Sequence, residues 1–267
     1  MAAESNTFTK VCTTDFGRFK VKLEPTNLFV GGSNYCVNIM MERNKTTLNW
    51  LSTSKGGCEL DGKMIRKEET IKMVDLAFSI LRRYHPERTI VTLLDDSGYS
   101  WTGPRQRVFK VNFLKGYLLM YQKTWYEEKF NAKMENDDIH SMYRKEVEIG
   151  FDDPARKPEI FSFGSEKEKL EPLYRDSRTW REFITKIKKQ YDNEKYKLMI
   201  DWYRQAIYYI MNGMEINQNW KIDISARPEY NCTWSGGSNS SKRKTKKKNF
   251  TFSKYYPIGP FYHEKTI

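Results

Sequence analysis

The stretch Tyr117–Met134, YLLMYQKTWYEEKFNAKM, decides how this chain is read. Upstream Phe113 joins Tyr117, Tyr121 and Trp125 at a spacing of four residues, flanked by Leu114 and Leu118. That period lines the rings along one wide face of a helix, and a face so apolar is buried against other structure. Tyr126 sits one residue round from the stripe and is not committed to that packing. The Thr-Trp-Tyr-Glu-Glu-Lys-Phe run then reads as the helix end, with a new strand starting near Met134.

Reading back from this helix, Thr89 to Gly98, TIVTLLDDSG, is a nearly continuous apolar run closed by Asp95 and Asp96. This is the pattern of a buried strand that ends in a polar loop. Asp95 and Asp96 there are candidates for a metal or substrate, or simply caps of the turn. Before it, IKMVDLAFSILRRY places Ile71, Val74, Ala77 or Phe78, Leu81 and Tyr84 at helical spacing, and His85-Pro86 stops that helix. Between Gly17 and Ser54, GRFKVKLEP, NYCVNIMMER and TTLNWLST read as an antiparallel meander, with TNLFVGGS and NK as its turns.

Reading forward, Asp153 to Pro172 carries three prolines and many charges, the signature of a connecting loop. SRTWREFITKIKKQY and EKYKLMIDWYRQAIYYIMNG each carry an apolar stripe, and the short Asp192-Asn193 between them predicts an antiparallel helical hairpin. NWKIDIS adds a strand. The whole predicts an α/β (α+β) fold with a mixed, mostly antiparallel sheet and packed helices, followed by a C-terminal helical hairpin and a basic tail. The expected divisions are 1–150, 151–227 and 228–267.

The 267 residues carry a formal net charge of +12, which favours an acidic partner: nucleic acid, an anionic surface or a phosphorylated ligand. Half of that charge lies in Lys242, Arg243, Lys244, Lys246, Lys247 and Lys248, within GGSNSSKRKTKKKN. Such a tract neutralises phosphates without reading sequence, and Phe250, Phe252, Tyr255 and Tyr256 beside it could stack on unpaired bases. It also reads as a nuclear-import signal or a solvated tail. Cys12, Cys36, Cys58 and Cys232 lie far apart without a C-x-x-C, and only His85, His140 and His263 accompany them. The expectation is therefore no metal site, no dense disulfide framework and a reducing, intracellular setting. The start of the chain has no apolar signal region, and no apolar run approaches the roughly 20 residues of a membrane span. Asn44, Asn231, Asn239 and Asn249 each open a glycosylation triplet, to which that setting gives little weight.

TIVTLLDDSG and KTWYEEKFNAKM together resemble the second half of the GNAT superfamily of acyltransferases, where a strand is followed by a helix that finishes in a pattern like A-x-x-F-Y-E-K-x-G-F. The Lys-Thr-Trp-Tyr-Glu phrase is also similar to one in uncharacterised acetyltransferase-like proteins of large DNA viruses. The resemblance covers roughly the first half of the chain. It implies an acyl-coenzyme A cofactor, acetyl-coenzyme A among them, and an amine acceptor. It implies that Tyr126 is the general acid for the departing thiolate, with Glu127 or Glu128 near the amine. It further implies that Gly56, Gly57, Gly62, Lys63, Arg66 and Lys67 form the phosphate cradle before a helix. The family's R-x-x-G-x-G spacing is absent from GGCELDGKMIRKEET, which also reads as a charged surface loop. If the chain is viral, host cytoplasm or virion is its expected place. The function expected is an acyl-coenzyme-A-dependent N-acyltransferase-like protein, or a degenerate relative of one. The alternatives are a nucleic-acid-binding or virion-associated protein acting through the basic tract, and a structural interaction module.

Overall fold

The computed structural model describes residues 7–51, 58–60, 63–64, 67–94, 98–102, 108–112, 117–118, 121–149, 167–190 and 219–236. In chain order these form β1 (Phe8–Thr14), β2 (Gly17–Glu24), β3 (Asn27–Gly31), β4 (Tyr35–Met41), β5 (Thr46–Leu51), β6 (Glu59–Leu60), β7 (Lys63–Met64), α1 (Lys67–Tyr84) and β8 (Ile90–Leu94). They continue with β9 (Gly98–Thr102), β10 (Val108–Asn112), α2 (Trp125–Phe130), β11 (Lys133–Met134), α3 (Asp137–Ile149), α4 (Lys167–Arg175), α5 (Trp180–Gln190), β12 (Asn219–Asp223) and β13 (Thr233–Ser235). The fold is mixed α/β with a mostly antiparallel open sheet. Two compact units divide it: the described residues of Met1–Leu94 and Trp220–Ile258 form the first, and those of Asp95–Asn219 the second.

In the first unit the strands run in the order β12-β8-β5-β4-β3-β2-β1-β13. From β1 to β5 every neighbour is antiparallel, whereas β5 and β8 are parallel. Alternation fixes the register. Val21, Val30, Val37 and Leu51 lie opposite one another across four strands, as do Leu23, Leu28, Ile39 and Leu48. All eight are buried, because a one-residue slip would turn each row out to solvent. Helix α1 buries Met73, Val74, Leu76, Ala77, Phe78, Ile80 and Leu81 and packs on β3 and β4. At about 1.5–3 kcal/mol for each large side chain removed from water, this face supplies much of the unit's stability. Helix α1 starts at Lys67 and its last turn hands over to a His85 N–H bond to the Leu81 carbonyl at 2.7 Å, as the His85-Pro86 stop predicts.

Several expectations are corrected here. TNLFVGGS is not a turn: Leu28 and Val30 alternate inward as β3, and the turn is only Pro25-Thr26. The meander begins earlier than read, with β1 joined to β2 through Asp15-Phe16, where Gly17 holds φ +151° beside the Leu60 side chain. The start of the segment expected as tail, from 228 on, contains β13, which pairs antiparallel with β1. Above all, the four cysteines are not free. Cys12 bridges Cys232 and Cys36 bridges Cys58, which leaves no free cysteine in the chain. Separation in sequence hid this, because the bridged residues lie 220 and 22 positions apart and meet only in the folded chain. The pairing removes the chemical ground for a reducing, intracellular setting.

A charged clasp closes the same unit. Arg82 Nη1 donates to the carbonyls of Ile224, Ser225 and Arg227 at 2.5, 2.9 and 2.8 Å, and Nη2 to Pro228 at 3.2 Å. Arg227 returns a two-pronged bond to buried Asp75, 2.8 and 2.9 Å. Burial, ahead of the opposing pull of Arg227 and Arg82, holds the Asp75 carboxyl above the ordinary aspartate range.

The second unit holds the β9–β10 hairpin, paired from Gly98–Asn112 to Thr102–Val108, and the opening stretch. There the continuous aromatic helix is corrected. Tyr117, Leu118 and Tyr121 are helical, but the helix closes with the Gln122 N–H on the Leu118 carbonyl and Gln122 in the left-handed region at φ 58°. Thr124 then opens a new helix, α2, as its N-cap. Trp125 therefore belongs to a different helix from Tyr121. The end of the stretch read as a connecting loop, residues 167–172, belongs to helix α4, which runs on to Arg175 with Pro172 inside it, because Leu170, Leu173 and Tyr174 bury one face against α5. Helix α5 is as expected, with Trp180, Phe183, Ile184 and Ile187 buried. The partner half of the predicted hairpin lies outside the described residues.

Candidate functional site

The parallel pairing of strands β5 and β8 is registered at a single position, Thr47 opposite Thr92. Both hydroxyls meet at 3.2 Å, and Thr92 Oγ1 also donates to the Thr46 carbonyl at 3.0 Å. Just beyond, β5 carries an irregularity against β4: Ile39 faces Leu48 while Asn38 faces Trp50, so Asn49 is an extra residue. A bulge of this kind bends its strand and ends regular pairing. Among their described residues β5 and β8 make no other registered pair, while β5 stays paired with β4 through Trp50 and Leu51. Trp50 is 36% exposed and Leu94 54% exposed, so both carboxyl ends carry large apolar side chains in contact with water.

The bulge is held by a polar ladder. Asn49 Nδ2 donates to Asn38 Oδ1 at 3.0 Å, and Asn38 Nδ2 to Asn27 Oδ1 at 3.1 Å. Asn38 is only 2% exposed, and these bonds satisfy part of what burial would otherwise cost. The ladder was missed in the sequence, although its signal is present: asparagine recurs at 27, 38 and 49, one per strand, at the repeat of the meander.

Helix α1 stands between β5 and β8 in chain order, the arrangement of a crossover joining two parallel strands. Lys67 is its first residue, Glu68 and Glu69 stand in its first turn, and Lys63 lies in β7 opposite Leu60. Gly56, Gly57, Gly62 and Arg66 of the expected cradle fall outside the described residues, as do Asp95, Asp96 and the tract from Lys242 to Lys248. Cys58, next to Gly57, is fully buried, bridged to Cys36 in β4 and 3.6 Å from Met73 Sδ in α1. The bridge thus pins the β5–α1 connection to the sheet at Cys58, just before β6.

Tyr126 is in the second unit, buried at 7% exposure in α2. Its ring meets Trp125 edge-on at 4.9 Å and Phe130 at 6.2 Å. Glu127 closes a capping box: its Oε2 accepts from the Thr124 N–H at 2.6 Å, while Thr124 Oγ1 accepts from the Glu127 N–H at 3.2 Å. Its other oxygen lies 2.7 Å from His140 Nε2. Glu128 accepts from Tyr117 and pairs with Lys129 at 2.5 Å. Lys129 and Tyr117 hold its carboxyl below the ordinary range against the upward push of burial, the largest single influence. Burial, then Glu128, pushes the Tyr117 phenol far up. Both acids expected near an amine are thus engaged in holding α2. Asn131 ends α2 in the left-handed region at φ 52°, and β11 follows as expected. Glu135, just after β11, donates its N–H to the Asn219 carbonyl at 2.8 Å.

Among the described residues no group of three or more His, Cys, Asp and Glu could hold a metal, and no helix is long and apolar enough to cross a membrane. No family model, curated protein or solved structure matches this chain.

Proposed function

We propose that the first unit is the cofactor-binding core of an acyl-coenzyme-A-dependent N-acyltransferase-like protein. The observation that carries this reading is the parallel β5–α1–β8 crossover, whose strands register at the single pair Thr47–Thr92, just short of the Asn49 bulge of β5. Beyond that pair the strands would be where an extended amide ligand adds to free N–H and C=O groups, as in β-augmentation. The pantetheine arm of coenzyme A is such a ligand. Its diphosphate would lie toward the start of α1, whose backbone N–H groups favour anions, in the segment where the sequence carries Lys63, Arg66 and Lys67. In the reaction the amine nitrogen attacks the thioester carbon, an amide forms, the C–S bond breaks and the thiolate takes a proton.

The resemblance assigns that proton to Tyr126. Its burial against Trp125 and Phe130 supports a packing role as well, and one substitution separates the two. As the acid, Tyr126→Phe lowers kcat by 10²–10⁴-fold at unchanged acetyl-coenzyme A affinity; as packing, it leaves turnover intact. The cofactor reading itself is tested by charge reversal at Lys63, Arg66 and Lys67. Acetyl-coenzyme A affinity should fall at least about tenfold, or about 1.4 kcal/mol, and equal affinity in the reversed protein would sink the cradle.

A further inference from the structure

We propose that this protein matures in an oxidising secretory compartment and carries N-linked glycans on Asn44 and Asn231. The inference does not depend on the acyltransferase reading. Two observations meet in it. All four cysteines of the chain are paired in two bridges, a state that reducing compartments disfavour. Cys12, Cys36 and Cys58 are fully buried, so these are structural bridges inside the first unit's core.

The second observation is where the glycosylation triplets fall. Asn44-Lys45-Thr46 occupies the β4–β5 turn, closed by the Glu42 N–H on the Lys45 carbonyl at 2.8 Å, and Asn44 is exposed at its tip. Asn231-Cys232-Thr233 leads into the edge strand β13, with Asn231 and Thr233 both exposed. A sugar on either amide points into water and displaces no packing. The asparagines that the sheet uses internally, Asn27, Asn38 and Asn49, stand in no such triplet. Thr46 is 4% exposed and its Oγ1 accepts from Arg88 Nη1 at 2.8 Å. Transfer to Asn44 must therefore precede closure of that turn, as it does on an emerging chain.

The chemistry balances with two co-reactants. Each bridge forms from two thiols that lose two protons and two electrons to a disulfide-carrying oxidoreductase, which becomes a dithiol. Each glycan forms when the asparagine amide nitrogen bonds to the anomeric carbon of a lipid-diphosphate-linked oligosaccharide. The amide loses one proton, and the lipid diphosphate leaves with the bonding electrons.

The test uses the full chain purified from its native cells with free thiols blocked at lysis. One portion is treated with peptide N-glycosidase in heavy-oxygen water and mapped by mass spectrometry. We expect Asn44 and Asn231 to be converted to heavy-oxygen aspartate, and no blocked cysteine. Unmodified asparagine at both positions would overturn the glycan assignment, and blocked cysteines would overturn the oxidising compartment. Label at only one asparagine upholds that site and overturns the other.

Discussion

Arg82 and Cys232 each tie distant segments of the first unit together. Arg82 satisfies four carbonyls of residues 224–228 from within α1. Replacing it with methionine keeps much of the stem's packing but strands those carbonyls, so Arg82→Met should cost about 2–3 kcal/mol, read as a lower urea midpoint. The Cys12–Cys232 bridge closes a span of 220 positions. The paired substitution Cys12→Ser with Cys232→Ser should cost about 2–4 kcal/mol. Adding a reductant should bring the native protein down toward the variant and leave the variant nearly unmoved in this respect. A variant as stable as the native protein under oxidising conditions would show that the bridge contributes nothing. Neither residue stood out in the sequence: an arginine in a helix and a cysteine in a polar tail gain their meaning from contacts well over a hundred residues away.

At the scale of elements, α2 is the clearest case of a competing signal. The four-residue aromatic period around Tyr117 runs straight across its start, yet Thr124 and Glu127 form a capping box there. That S/T-x-x-E pattern was legible in KTWYEEKF, and it wins because orphan N–H groups at a helix start need acceptors. Thr124→Ala should lower stability by about 1 kcal/mol, measured by denaturant unfolding; an unchanged midpoint would mean that the cap is redundant. The Tyr117–Glu128 bond ties the preceding helical residues to α2 and gives it a pH signature. Glu128 titrates below its ordinary value of 4.5 in the folded chain. Its contribution is therefore present above that value and is lost as pH falls through the depressed one. Tyr117, raised when folded, keeps its proton across the neutral range. Tyr117→Phe should thus destabilise at neutral pH and lose its effect in acid. A stability difference that stays constant down to strongly acid pH would rule the pairing out. Helices α1 and α5 were legible because their apolar periods coincide with their caps. Strands β1 and β3 were not, because their turns are two residues long and the alternation on either side reads as loop.

For the whole molecule, the sequence carried the order of strands, crossover helix and strand, and hence the mixed, mostly antiparallel sheet. It did not carry the return of the chain at Trp220 to the first unit, where β12 joins β8 and β13 closes the other edge. Such long-range pairing leaves no local period. The single registered pair of β5 and β8, and the extra residue Asn49 braced by Asn38, emerged only from the register. The most direct test of the central claim, that β5, β8 and the start of α1 hold an acyl-coenzyme A, is thermal unfolding of the full chain with and without acetyl-coenzyme A. At about 100 times the dissociation constant the ligand should stabilise the folded protein by roughly 2.7 kcal/mol, seen as a clear rise in Tm that charge reversal at Lys63, Arg66 and Lys67 abolishes. An unchanged Tm at saturating acetyl-coenzyme A would contradict the account.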